Sequence, residues 1–322
     1  MRTIRRSRLL GACALIVAIA GACRSTGTST SGGNAADPVI VAVGDIACDP
    51  ANPAYAGGRG TTSNCQQAAT SDLAVAANPA AVLALGDLQY DCGGTAAFAA
   101  SYDPTWGRLK AITHPVPGNQ EYNTSGTDCP PAGTAAGYFT YFGSAAGGFG
   151  RGWYSFDLGS WHIIALNANC DLVGGCDSGS PQQTWLQADL KAHPSACTLA
   201  FWHQPRFSSG SHNNDGQMDD VWKTLYAAHA DVVLNGHDHL YERFAPQDPN
   251  QKAVAGGITE FIVGTGGDDH GAFDTNTEPN SQARDATSFG VLEMALHPNG
   301  YDWRFVPTAG GTFTDQGSAT CH

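Results

Sequence analysis

Five stretches of this 322-residue chain end an apolar run with a glycine or a turn and then a side chain able to ligate a metal. They are Val43-Gly44-Asp45, Leu85-Gly86-Asp87, Pro117-Gly118-Asn119, Phe201-Trp202-His203 and Asn235-Gly236-His237-Asp238-His239. A turn or a helix N-cap would account for any one such Asp. Five endings that together carry carboxylate, amide oxygen and imidazole are hard to produce by turn chemistry. That donor set suits a pair of hard-to-borderline ions such as iron, manganese or zinc, and cysteine, the soft ligand, is absent from it.

These residues need strands to bring them to one edge. Residues 39–43, 82–85, 161–166, 198–202, 231–234 and 260–263 are short, apolar and rich in β-formers, and read as buried strands. Met218, Val221, Trp222, Leu225 and Tyr226 mark one apolar face of a helix between them. Ser180-Pro181 ahead of Trp185, Leu186 and Leu190 supplies an N-cap and a first-turn proline for another. The order is α/β, with an antiparallel tail over 289–305 and no internal repeat. In open α/β sheets, sites assemble at the C-terminal strand ends, which is where the five endings fall.

Taken together, Gly44-Asp45-Ile46, Gly86-Asp87-Leu88-Gln89-Tyr90, Gly118-Asn119-Gln120-Glu121, His203-Gln204-Pro205 and the run from Gly236 to Arg243 resemble the five blocks of the calcineurin-like metallophosphoesterases, in particular their purple acid phosphatase branch. The resemblance implies an α/β fold of two packed mixed β-sheets flanked by helices, a four-layer α/β/β/α sandwich, with two metals at the strand ends. It assigns Asp45, Asp87, Tyr90 and His239 to the first metal and Asp87, Asn119, His203 and His237 to the second, with Asp87 bridging. Tyr90 stands three after Asp87, where the purple branch keeps a phenolate ligand. A phenol of pKa near 10 is bound as phenolate by a strongly acidic ion, so Tyr90 argues for Fe(III) beside a divalent Fe, Mn or Zn; a packed tyrosine is the alternative. The implied reaction is hydrolysis of a phosphomonoester by in-line attack of a metal-bound hydroxide. A phosphodiesterase on the same scaffold, or a metal-binding surface lipoprotein that has lost turnover, are the alternatives.

One block departs from the family pattern: the position after Gly118-Asn119 usually carries His and here carries Gln120. Gln can hydrogen-bond a phosphate but cannot be a general acid near neutral pH. His212, nine after His203, is a candidate to compensate, with an exposed loop histidine as the alternative. Glu121 could orient Gln120 or a residue behind the ligands, while Glu242 and Arg243 brace the loop after His239. Structural roles are expected for His193, His229, His297 and His322, and favoured for His114, His162 and His270. Asp268-Asp269-His270 could line the site as another strand-end loop. Cys176-Asp177-Ser178-Gly179-Ser180-Pro181 superficially matches a trypsin-like nucleophile segment, but no suitable histidine segment precedes it.

The remaining expectations concern export. Residues 1–22 carry four arginines and then a charge-free apolar run, 9–22, the layout of a secretory signal. Ala20-Gly21-Ala22-Cys23 resembles a lipobox, so Cys23 would carry a lipid, and 23–37 would be a Ser/Thr/Gly-rich tether. Ordinary cleavage after Ala22 would instead release the protein. Residues 38–322 form the catalytic domain, with no room before them for the β domain of plant-type family members. Eight cysteines then remain, an even number in an exported chain, so disulfides are expected. Cys170 with Cys176 is the closest pair; Cys48 with Cys65, Cys92 with Cys129 and Cys197 with Cys321 follow only from proximity and remainder. The net charge of −13 becomes −17 once the signal leaves 12 basic against 29 acidic residues. That sign excludes a broad nucleic-acid-binding face. The expected partner is a small phosphate ester, bound at a local positive centre of metal ions; no protein partner is expected.

Overall fold

The structure, a computed structural model, describes residues 37–322; the proposed signal, the lipidated Cys23 and nearly all of the tether lie outside the described residues. Two mixed sheets form the frame. The first has the order β13-β12-β11-β1-β2-β3, where β1 is Val39–Val43, β2 Ala81–Leu85, β3 Thr113–Val116, β11 Gly290–His297, β12 Gly300–Pro307 and β13 Gln316–Thr320. β1, β2 and β3 run parallel, and β11, β12 and β13 extend the sheet antiparallel. The second has the order β10-β8-β9-β7-β6-β5-β4. Its strands are β4 Tyr154–Leu158, β5 Trp161–Ala165, β6 Cys197–Phe201, β7 Val232–Asn235, β8 Tyr241–Phe244, β9 Thr259–Val263 and β10 Ser281–Asp285. β5, β6, β7 and β9 are parallel, and β4, β8 and β10 are antiparallel to their neighbours.

Alternation within the strands of the second sheet sorts its side chains between two cores. Ile163, Phe201, Val232, Leu234 and Phe261 pack with Val41, Val43, Leu83 and Leu292 of the first sheet. Their neighbours Ile164, Ala200, Val233 and Ile262 pack outward against Leu186 of the helix Pro181–Ala192 and Val221, Trp222 and Leu225 of the helix Asp219–Ala227. Strands with both faces covered read as continuous apolar runs, which is why the six central ones are legible in the sequence. Ser180 caps the first of these helices, its hydroxyl accepting from the Gln183 amide. On the first sheet, the helix Gln67–Ala77 contributes Ala74, and the turns around Phe98, Tyr102 and Trp106 complete the cover.

Four disulfides hold the loops and the chain end: Cys48–Cys65, Cys92–Cys129, Cys170–Cys176 and Cys197–Cys321. The last ties the tail beyond β13 to the start of β6. Among the described residues, no helix is long and apolar enough to cross a membrane.

Candidate metal centre

The ligand-type residues follow strand C-termini of both sheets. Asp45 follows β1, Asp87 follows β2, Asn119 follows β3, His203 follows β6, and His237 and His239 follow β7. Tight turns aim them: Asp45, Asp87 and His237 have φ of 59°, 49° and 74°, a left-handed backbone that three ordinary residues adopt here within one site. Such conformations cost about 1–3 kcal/mol each and cluster where function holds them. Gly86, at φ +87°, leaves space for the His203 ring, whose Nδ1 would lie 2.6 Å from any Cβ added there.

Tyr90 is the meeting point of the first set. Its hydroxyl lies 2.9 Å from Asp45 Oδ1, 3.1 Å from Asp87 Oδ2 and 2.9 Å from His239 Nε2. Burial, reinforced by the carboxylates of Asp45, Asp87 and Asp268, holds the phenol well above its ordinary range. A phenolate in that place therefore needs a cation among those ligands. His239 donates from Nδ1 to Asp269, which turns Nε2 toward Tyr90. Carboxylates behind ligating imidazoles fix the tautomer in this way.

Asp87, His203 and His237 form the second set, each offering a ligand atom within 4.8 Å of the others. His203 Nδ1 donates to the Leu85 carbonyl at 2.8 Å, leaving Nε2 as the free atom. That Nε2 is buried and without a hydrogen-bond partner, although Asp87 Oδ2 lies 3.1 Å away in poor alignment. Asn119 Oδ1 is likewise buried and unpartnered. Two orphaned ligand atoms beside a buried carboxylate are what a metal position requires, since such groups are otherwise paired. Burial pulls the His203 imidazolium down, but Asp87 and Asp45 outweigh it and raise its pKa to about 9; burial and the His203 charge lower His237 to about 4. The donor types thus fit metal ions of the hard-to-borderline class.

Glu121 orients the Asp87 loop rather than the Gln120 side chain. It is fully buried, and its carboxylate accepts the backbone N–H of Asp87, Leu88, Gln89 and Gly118 at 2.7–3.2 Å. It splints the loop that carries Asp87 and is a positioning residue, out of reach of a substrate and so not a catalytic one. Burial and the charge of Asp87 push it up to about 7. Gln120 donates its backbone N–H to Asp87 Oδ1 at 2.8 Å, and its side-chain oxygen accepts from Asn123.

His212 stands at the open side, its side chain half exposed and its ring centroid 4.6 Å from that of His237. Asp238 accepts from its backbone N–H and lies 3.1 Å from its Nδ1, and this hydrogen bond raises the imidazole pKa against partial burial. The role of Asp238 went unread in the sequence; its carboxylate accepts from Ser208 and pairs with His212. Asp269, noted only as a lining residue, is the partner of His239.

Glu242 accepts from Ser209 and Ser281, and Arg243 pairs with Asp315, so both brace the surrounding loops. His114 stacks on Phe156 and His162 lies between Asp157 and Asp189, while His270, next to Asp269, stacks on Phe289. Ser180 of the protease-like segment is a helix cap, and Cys176 is disulfide-bonded.

A family model described as calcineurin-like phosphoesterase matches residues 38–241, a stretch that contains every one of these candidate ligands. The chain belongs to this family. Within it, the similarity runs to the purple acid phosphatases. Purple acid phosphatase 18 of Arabidopsis thaliana is 31% identical over 153 residues, 45% of this chain and 34% of the relative. Purple acid phosphatase 22 of the same plant is 33% identical over 147 residues, 43% of this chain and 32% of the relative. The chain thus spans about a third of the length of these curated relatives. The structure of purple acid phosphatase PPD1 from yellow lupin seeds superposes with a TM-score of 0.71 at 17% identity, over 89% of this chain and 54% of that one, a shared fold. The sandwich of two mixed sheets flanked by helices is accordingly the fold of this calcineurin-like phosphoesterase.

Proposed function

We propose that this phosphoesterase is an exported phosphomonoesterase with a dinuclear metal centre. Asp45, Asp87, Tyr90 and His239 hold an iron(III), and Asp87, Asn119, His203 and His237 hold a divalent iron, manganese or zinc. The observation that carries the reading is the Tyr90 hydroxyl within 3.1 Å of Asp45, Asp87 and His239, with the orphaned His203 Nε2 and Asn119 Oδ1 marking the second position. Bound there, the two ions supply Lewis acidity and a water acidic enough to attack phosphorus near neutral pH.

The chain's own groups do the rest. Asp269 and the Leu85 carbonyl hold the His239 and His203 rings in their ligating tautomers. His212, presented by Asp238, reaches the phosphate or the leaving oxygen and gives it a proton. Gln120 supplies a hydrogen bond but no proton. Export, with a lipid on Cys23 as the anchor, is supported by the sequence of residues 1–23 and by four disulfides, which persist in oxidising compartments.

Hydrolysis of matched aryl phosphomonoester and phosphodiester substrates by the metal-reconstituted protein, with His203→Ala as control, tests this reading. Turnover that favours the monoester and is lost in the variant is expected. A preference for the diester would make the protein a phosphodiesterase. No turnover with both metals bound would leave a metal-binding surface protein.

A further inference from the structure

A cleft of about 500 Å³ opens beside the metal ligand His237. The short helix Cys170–Val173 after β5 contributes Asp171 and Leu172 to it, and the loops after β6 contribute Gln204, His212 and Asp215. A phosphate dianion held at the metal ligands would extend its alcohol part into this space. No lysine or arginine lines the cleft. Arg206, the cation close enough to influence Asp215, is committed to Asp219 and lies over the Phe207 ring.

The wall is instead rich in acceptors. Burial, with the charge of Asp171 in support, raises the Asp215 carboxyl. Leu172 is 49% exposed, one of three large apolar side chains so exposed among the described residues, and gives the cleft an apolar patch. The Cys170–Cys176 disulfide and the bond from the Ser178 amide to Asp220 pin the segment that bears Asp171 and Leu172. Two carboxylates and one aliphatic surface complement a short carbon chain that ends in a hydrogen-bond-donating cation.

We propose that the preferred substrate is the phosphomonoester of a short amino alcohol, its ammonium bound by Asp171 and Asp215, and that esters with a second anionic group are rejected. This rests on the phosphatase reading above and adds the class of alcohol. Hydrolysis breaks the P–O bond to the alcohol while water adds to phosphorus; the alcohol oxygen takes a proton, and the amino alcohol and inorganic phosphate leave. The cleft adds a charge filter: attraction for the cation and like-charge repulsion of a carboxylate or second phosphate.

Three esters with alcohols of similar size but different charge test this at pH 7: ethanolamine phosphate, glycerol 3-phosphate and 3-phosphoglycerate. kcat/KM should fall in that order, by about tenfold or more from first to last, as expected for a partly screened charge pair. In an Asp171→Asn, Asp215→Asn double variant the ratio should shrink to about twofold. Equal kcat/KM for the three esters, or a ratio unchanged in the variant, would overturn the proposal. So would hydrolysis of an aryl phosphate with none of the three accepted. If the aryl phosphate is also untouched, the phosphatase reading itself has failed. Calorimetric binding of the same three esters to the metal-loaded protein then decides the charge preference: the same order upholds it, and equal affinities overturn it.

Discussion

Tyr90 is approached from three directions by Asp45, Asp87 and His239, in surroundings that strongly disfavour its ionisation without a cation. Iron(III) there would produce phenolate-to-iron charge transfer, so the iron-loaded protein is expected to be coloured and Tyr90→Phe to lose the visible band. An unchanged spectrum in that variant would remove Tyr90 from the ligand set. Gln120 poses the opposite question, because its residue type takes away a proton that the family usually supplies. Gln120→His is expected to raise kcat for an alkyl ester by about tenfold or more, and by less for an aryl ester whose leaving group needs no protonation. Equal gains on both would show that this position does not face the leaving oxygen. At this scale the ligand types were readable, since a metal position demands particular atoms. Their orienting partners were not: Asp269 and Asp238 work through side-chain directions across a turn, and no spacing rule encodes those.

The loop after β2 shows how an element depends on a residue outside it. Glu121 comes from the turn after β3, and its carboxylate gathers four backbone N–H groups that would otherwise be buried without partners. Glu121→Ala should lower stability by about 3–5 kcal/mol and reduce metal occupancy, read by thermal denaturation and metal analysis. Glu121→Gln should recover little, because its NH2 would face two of those donors; a Gln variant with wild-type stability and occupancy would refute the splint. The central strands β1, β2, β5, β6, β7 and β9 were legible as apolar runs, each within a residue or two of its observed bounds. β3, with Pro115 and the part-exposed His114, and the edge strands β4, β10 and β13, with their partly exposed patterns, lack that signature. The helix Gln67–Ala77 was missed as well, because its buried face consists of Gln67, Thr70, Ser71 and Ala74, small or polar residues that leave no apolar stripe.

Across the whole molecule, the ligands come from both sheets, so the centre exists only while the sheets stay packed. Cys197–Cys321 closes 124 residues and links the tail of the first sheet to β6 of the second, at the strand end opposite His203. Replacing both cysteines with serine should cost about 3–5 kcal/mol, seen as a lower melting temperature, while turnover at low temperature persists. Loss of activity in a still-folded variant would mean that this end of the sheet is coupled to the site. By itself the sequence determined the α/β class, the ligand types and the family resemblance, because strand burial and metal coordination each restrict residue choice at closely spaced positions. Only the tertiary structure decided which cysteines pair, that Glu121 is a splint, that Asp238 presents His212, and that an acceptor-lined cleft without a lysine or arginine adjoins His237. Most of those relations join residues far apart in the chain, and their energy depends on distance and direction in space, which chain order does not carry.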